Sequence, residues 1–233
     1  MIERRPRDQR GYFELDWLKS YHSFSFGDYY DPNHVQFSAL RVINDDWIAP
    51  QGGFATHGHR NMEILTYVLQ GELSHRDSEG NEARIKAGEF QLMSAGRGIF
   101  HSEYNHHEDA PVKLLQIWLH PNVEQTPPSY QQRAFPCQTG LQWIVTPSGE
   151  GETLTIKQDA QIARIELNPG EPFEWPLHPE RHYYLHVVKG DGQINGHAVR
   201  FGDGIKLSHE SNLTLIANQA FQVLLFDLPA IPR

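Results

Sequence analysis

Two short pairs stand out as suited to chemistry: His57-Gly58-His59 and, about forty residues later, His101-Ser102-Glu103. In an extended strand, side chains two apart share a face. Each pair can therefore aim both groups at one point. Two such strands lying side by side would assemble three imidazoles and one carboxylate. That donor set suits iron, manganese, cobalt, nickel or zinc and disfavours calcium or a soft thiolate site. Four protein donors leave one or two positions free on an octahedral ion, as catalysis requires. A lone His-x-His carries little weight in a chain with fourteen histidines. The second pair, preceded by the tight turn Gly96-Arg97-Gly98, gives the pattern its force.

The segments around these pairs read as β-strands. Phe37–Ile43 alternates, and Asn44-Asp45-Asp46 marks a turn. Met62–Leu69 is β-branched and aromatic, and Gly71 closes it. Leu73–Arg76, Ala83–Ile85 and Phe90–Met93 follow, separated by the polar turns Asp77–Asn81 and Lys86–Glu89. Val112–Leu119 is a strong strand pattern. Short strands with turns every eight to twelve residues indicate a sandwich or barrel. The opening segment is aromatic, with Tyr12, Phe13, Trp17, Tyr21, Phe24, Phe26, Tyr29 and Tyr30, and Asp16–Lys19 could start a helical turn. Its plain reading is an arm packed on a barrel wall, the alternative a loop facing a ligand.

From Pro121 to Pro136 the chain is rich in Pro and Gln and reads as a polar connector. Beyond it come Leu141–Val145, Thr153–Lys157, Gln161–Leu167, Tyr183–Val188, Gln193–Ile194, Ile205–Leu207, Leu213–Ala217 and Phe221–Phe226. The halves echo each other. A His-containing segment, a strand and Gly71 in the first match His178…His182, a strand and Gly190 in the second, and Gly88 matches Gly202. Such repetition is what duplication of one barrel unit leaves behind. The expected organisation is all-β, two tandem barrels, residues 1–135 and 136–233.

Composition narrows the function. The formal charge is −9 and the longest basic run is a pair, Arg4-Arg5, so direct nucleic-acid binding is not expected. No stretch approaches eighteen apolar residues, and the start lacks an apolar signal core, so the expectation is a cytoplasmic protein with no membrane partner. One cysteine, Cys137, excludes an internal disulfide and has no neighbouring base to make it a nucleophile. Two packed barrels can hide each other's edges, which permits a monomer. His75 is expected to make structural hydrogen bonds and His106 and His107 to be solvated. His178 and His182 lie four apart and His209-Glu210 are adjacent, so the second barrel is read as metal-free.

The string Gly53-Phe-Ala-Thr-His57-Gly-His59-Arg-Asn-Met-Glu63…Gly71 resembles the first cupin motif, and Gly88…Ser94-Ala-Gly96…His101 the second. More narrowly, His22-Ser-Phe-Ser-Phe-Gly27-Asp-Tyr-Tyr, Leu40-Arg-Val-Ile-Asn, His75-Arg-Asp-Ser and Ser94-Ala-Gly-Arg-Gly-Ile-Phe-His101-Ser-Glu103 resemble the pirin family. The match is dense over residues 20–120 and looser beyond, in the manner of bacterial quercetinase-type pirins. The resemblance implies two cupin (double-stranded β-helix, jelly-roll) barrels with one divalent transition metal ion, in the first only. It also implies His57, His59, His101 and Glu103 as the ligands. Iron(II) heads the candidates, with zinc, cobalt, nickel, manganese and copper open. A typical cupin would use the carboxylate at Glu63; on the pirin pattern Glu63 is expected to be a partner behind the ligands, holding a ligand imidazole. The implied activity is quercetin 2,3-dioxygenation, with a flavonol-like aromatic and dioxygen as substrates and Glu103 as base. From their position in the chain, Phe54, Met93 or Phe100 could line the mouth. A metal- or redox-responsive regulator that binds a protein partner, and another cupin reaction such as an isomerisation, are the alternatives.

Overall fold

The computed structural model describes residues 1–230, so the last three residues of the second half lie outside the described residues. Among the described residues there are twenty-two strands, two short 3₁₀ turns and no α-helix. In chain order the strands of the first half are β1 (Ile2–Arg5), β2 (Gly11–Leu15), β3 (Leu18–His22), β4 (Leu40–Ile48), β5 (Gly53–His59), β6 (Glu63–Gln70), β7 (Glu72–Asp77), β8 (Glu82–Lys86), β9 (Glu89–Ser94), β10 (Ile99–Tyr104), β11 (Val112–Leu119) and β12 (Ser129–Ala134). The second half adds β13 (Gly140–Thr146), β14 (Leu154–Thr155), β15 (Gln161–Leu167), β16 (Pro172–Pro176), β17 (His182–Lys189), β18 (Asp191–Ile194), β19 (His197–Arg200), β20 (Gly204–Ser208), β21 (Asn212–Ala217) and β22 (Phe221–Leu228).

They form two barrels, each a seven-stranded sheet facing a four-stranded one. The first barrel combines the order β12-β9-β6-β11-β4-β3-β2 with β5-β10-β7-β8, and the second combines β1-β20-β17-β22-β15-β13-β14 with β16-β21-β18-β19. The duplication is visible in the turns. Gly71 and Gly190, with φ of 81° and 78°, close the turns after β6 and β17; Gly88 and Gly202, with φ of 89° and 84°, do so before β9 and β20. A left-handed backbone costs glycine little and other residues more, which explains why glycine recurs at both pairs.

The two large sheets pack against each other. Leu65, Tyr67, Phe90, Leu92, Leu115 and Ile117 of the first barrel share one apolar core with Ile144, Ile162, Tyr184, Leu224 and Phe226 of the second. This makes Val112–Leu119 a nearly continuous apolar run. Leu115, Ile117 and Leu119 enter the core between barrels, while Leu114 and Trp118 pack inside the first barrel and Gln116 lines its cavity. A strand buried on both faces has no polar side to show.

Several local expectations change. Asn44-Asp45-Asp46 lies inside β4 and not in a turn, because its even positions face a polar barrel interior. Asp16 and Trp17 form the turn of the β2–β3 hairpin and not the start of a helix. The Pro/Gln-rich connector contains β12, which pairs with β9 from Ser129↔Ser94 to Ala134↔Glu89. The first strand pairs with β20 of the second barrel, Ile2↔Leu207 to Arg5↔Gly204, so the chain's start and its middle each extend a large sheet.

Candidate functional site

The first barrel has an unusual interior. Across its large sheet, His22, Asn44, Gln116, Thr66 and Gln91 sit in register on β3, β4, β11, β6 and β9, a polar row through the middle of the barrel. Apolar layers lie to either side: Leu18, Ile48, Val68, Leu73, Ile85 and Leu114 in one cluster, Ile64, Met93, Ala95 and Ile99 in another. The second barrel fills its interior with aliphatic residues, including Ile165, Leu185, Val187, Ile205, Leu213, Leu215 and Leu225. Both trios of potential metal-binding side chains found among the described residues belong to the first barrel.

Facing the polar row is the small sheet that carries the two sequence pairs. Strand β10 runs antiparallel to β5, with His101 opposite His57 and Ile99 opposite His59. Gly58 points away from the interior, where the exposed ring of Phe100 covers it at 3.0 Å from an added Cβ position. The rings of His57, His59 and His101 close a triangle, with centroids 4.9, 4.4 and 4.9 Å apart. His57 donates its Nδ1–H to the Ala55 carbonyl over 2.8 Å, which leaves Nε2 as a bare lone pair. That lone pair faces His101 Nε2 at 3.0 Å, so either the His101 proton or a cation must stand between them. Neighbouring donors on an ion with bonds of ~2.1 Å sit about 3 Å apart, so this spacing fits a metal.

A one-residue irregularity between His101 and Glu103 sets Glu103 opposite Phe54 on β5, while on the other side it pairs with His75 of β7. Glu103 is buried. Its Oε2 accepts from Gln116 Nε2 at 3.0 Å, Gln116 in turn accepts from Thr66 Oγ1 at 3.0 Å, and its Oε1 is enclosed with no hydrogen-bond partner. An enclosed carboxylate oxygen without a partner is costly unless something binds it. Glu103, His101 and His75 form a second trio whose ligating atoms lie within 4.8 Å of one another, overlapping the first at His101.

Burial shapes the proton affinities. Desolvation, aided by the positive forms of His57, His59 and His75, pushes His101 down to about 2. Desolvation and His57 push His59 down to about 4. Both therefore stay neutral, with lone pairs available. Glu103 is pushed up to about 7 by burial first and then by the neighbouring Asp46 carboxyl, against the opposing bond from Gln116. Asp46 is pushed up to about 7 by burial, with Asp45 adding to the effect and the Ser20 hydroxyl resisting it.

His57, His59, Glu103 and Asp46 line a cavity of about 770 Å³, with His101 buried behind them. Two aromatic walls lead down to it. Trp17 meets Phe54 edge to face (5.0 Å, 84°) and Phe54 adjoins His57; Phe26 meets Trp118 (5.3 Å, 82°) and Trp118 meets His59 (4.9 Å, 84°). Tyr12, Phe13 and Tyr29 complete the rim, so the aromatic arm faces the cavity instead of merely covering a wall. Phe54 lines the cavity as expected. Met93 does not: it is fully buried in the core around Ile64. Phe100 does not either, being 61% exposed on the outer face.

Glu63 requires a correction. It shares parity with His57 and His59, but Asn61, with φ of 48°, breaks the strand between them. Glu63 accepts hydrogen bonds from Ser94 Oγ (2.8 Å) and the backbone N–H of Lys157 (3.2 Å), which binds the two barrels together and holds no ligand imidazole. His75 bonds Asp77 Oδ2 at 3.1 Å while its Nδ1 stays enclosed and unpartnered. His107 accepts from the Asp109 and Ala110 backbone, and His106 stacks on Tyr104, both away from the cavity. In the second barrel His182 bonds Ser208 Oγ at 2.7 Å, while the His178 backbone N–H donates to the Tyr183 hydroxyl. Cys137 is exposed and free. The spacing of the two ligand pairs does not point to the further cavity residues Ser20, His22, Asn44, Asp46, Gln116 and Trp118. The available signal was a glutamine in the centre of the apolar run Val112–Leu119, which only a polar interior explains.

Comparison with known proteins agrees with this architecture. The family model described as Pirin matches residues 3–119, and the one described as Quercetinase C-terminal cupin domain matches residues 143–228. A protein of Escherichia coli K12 named quercetin 2,3-dioxygenase is 44% identical over 231 residues, covering 99% of this chain and all of that protein. A pirin-like protein of Caulobacter vibrioides is 39% identical, covering 97% and 99%. Among solved structures, the bacterial pirin YhhW of Escherichia coli in complex with nickel(II) superposes with a TM-score of 0.96 at 44% identity, covering 99% of this chain and all of that one. With the family match over half its length and these relatives along nearly all of it, the chain belongs to the pirin family.

Proposed function

We propose that this protein is a metal-dependent dioxygenase that opens the central ring of flavonols such as quercetin and releases carbon monoxide. In this reading His57, His59, His101 and Glu103 hold one divalent transition metal ion. The observation that carries it is the convergence of three imidazoles, beside a carboxylate oxygen without a partner, against a cavity walled by aromatic rings. A volume of about 770 Å³ suits a drug-sized flat molecule. The name of the Escherichia coli relative and the nickel(II) in the YhhW complex point the same way.

A divalent ion held there supplies Lewis acidity, which stabilises the anion of a bound hydroxyl. The protein's own groups do the rest. The edge-to-face rings of Trp17, Phe54, Phe26 and Trp118 orient a flat ring system between the two walls and exclude water from it. Glu103 takes the proton of the flavonol 3-hydroxyl on Oε1, the oxygen with no protein partner, while Gln116 keeps Oε2 in place. The resulting enolate is the electron-rich species that dioxygen attacks, and both oxygen atoms end in the ring-opened product.

Aerobic turnover of quercetin by the metal-loaded protein tests the reading, with Glu103→Gln as the control. Turnover by the native protein and a loss of about 10²- to 10⁴-fold in the variant are expected. Undiminished turnover in Glu103→Gln removes the proposed base, and no oxygen consumption by the native protein removes the activity.

A further inference from the structure

The cavity has a second polar wall that the chemistry at Glu103 leaves unused. Asn44 and Asp46 lie two apart on β4, and Ser20 and His22 sit beside them on β3, in the pairs Ser20↔Asp46 and His22↔Asn44. All four line the cavity, and each is 3% exposed. Ser20 Oγ donates to Asp46 Oδ1, and His22 Nε2 donates to Ser20 Oγ over 2.8 Å. The hydroxyl is thus fixed from both sides and holds the carboxyl in one orientation. Among the described residues Asp46 Oδ2 has no hydrogen-bond partner, yet it is not one of the enclosed polar atoms. It opens into the cavity. The same holds for Asn44 Nδ2, a donor beside that acceptor.

A buried carboxyl that is braced on one oxygen and open on the other is organised to bind something. Its charged oxygen selects a donor, and the aromatic walls select a flat ring. We propose that Asp46, with Asn44 beside it, is a specificity subsite that accepts a hydrogen bond from a second hydroxyl of the substrate, making planar aromatics with at least two hydroxyls the preferred class. The proposal rests on the flavonol reading of this cavity and adds to it a residue that touches a substrate hydroxyl other than the one whose proton goes to Glu103. Ser20 and His22 act through Asp46 as positioning residues.

The test is equilibrium binding to metal-loaded protein without oxygen, at pH 8, read by quenching of the cavity tryptophans. The probes are quercetin, which carries several hydroxyls, and 3-hydroxyflavone, which has the same skeleton and only one. Native protein is expected to bind quercetin more tightly. Asp46→Asn, which keeps the shape and the bond from Ser20, is expected to weaken quercetin about tenfold and leave 3-hydroxyflavone within about twofold. Ser20→Ala, which leaves the carboxyl but unbraces it, is expected to give a smaller loss that is again confined to quercetin. Equal effects on both ligands, or no effect on either, overturn the subsite while leaving the flavonol reading intact. If native protein binds neither flavonol, both fall together.

Discussion

Exchanging Asp46 for Asn should make the metal-free protein progressively more stable than the native one as pH rises. Asp46 is 3% exposed, and burial lifts its carboxyl from its ordinary value of 3.8 to about 7. A carboxyl whose affinity for protons is higher in the folded state favours folding fully only below 3.8. That contribution is lost as pH rises towards about 7, where the folded protein must give up a proton that the unfolded chain has already lost. Between pH 5 and pH 8 the folded protein sheds nearly one proton at this site while the unfolded chain sheds almost none. Integrated over that interval, with about 1.36 kcal/mol per unit, the native protein loses about 2–3 kcal/mol relative to a side chain that does not titrate. Asn cannot titrate and still accepts the Ser20 hydrogen bond, so titrating groups remote from Asp46 cancel between the two proteins, while Glu103, which the Asp46 carboxyl pushes up, is relieved in the variant and adds to its advantage in the same direction. Urea unfolding at pH 5, 6, 7 and 8, followed by tryptophan fluorescence, should show the variant's advantage widening by that amount, most of it below pH 7. Parallel curves would mean that the carboxyl is solvated or ionised throughout, and the account of a dry polar wall would fail. The same variant is the one expected to bind quercetin less well, the familiar opposition of stability and function at a site.

Two further outcomes follow from the geometry. Glu63→Ala should leave metal stoichiometry and quercetin turnover unchanged, because its bonds run to Ser94 and Lys157, while lowering stability by ~1–3 kcal/mol; metal analysis and urea titration check both. Gly53→Ala should be destabilising by ~1–3 kcal/mol and should reduce bound metal per chain, since an added Cβ runs into the Glu103 carbonyl and the Tyr104 ring and pushes β5 off β10. Metal content and the urea midpoint of purified Gly53→Ala measure this directly.

Much of the molecule is written locally. The period of two in His57-Gly58-His59 and in His101-Ser102-Glu103 fixes which groups share a face, whatever surrounds them. The repeated glycines at 71 and 190, and at 88 and 202, mark equivalent turns because only a left-handed backbone fits there. Residues 112–119 and 161–167 read as strands and are strands, since runs of apolar and β-branched residues bounded by turns leave few other choices. Local pattern also misleads where the interior is polar. Asn44-Asp45-Asp46 has the composition of a turn, and only the closing of the barrel gives those side chains a reason to point inward. Parity carried Glu63 into the site until Asn61 broke the count. The pairing of β1 with β20, the folding of the aromatic hairpin over the cavity, and the meeting of Glu103 with Gln116 join residues as far apart as 2 and 207. Contacts between strands distant in sequence depend on register and on how two sheets face each other, and neither leaves a mark in any short window of residues. Local spacing sets which side chains can act together, and the closing of the barrel sets what stands opposite them.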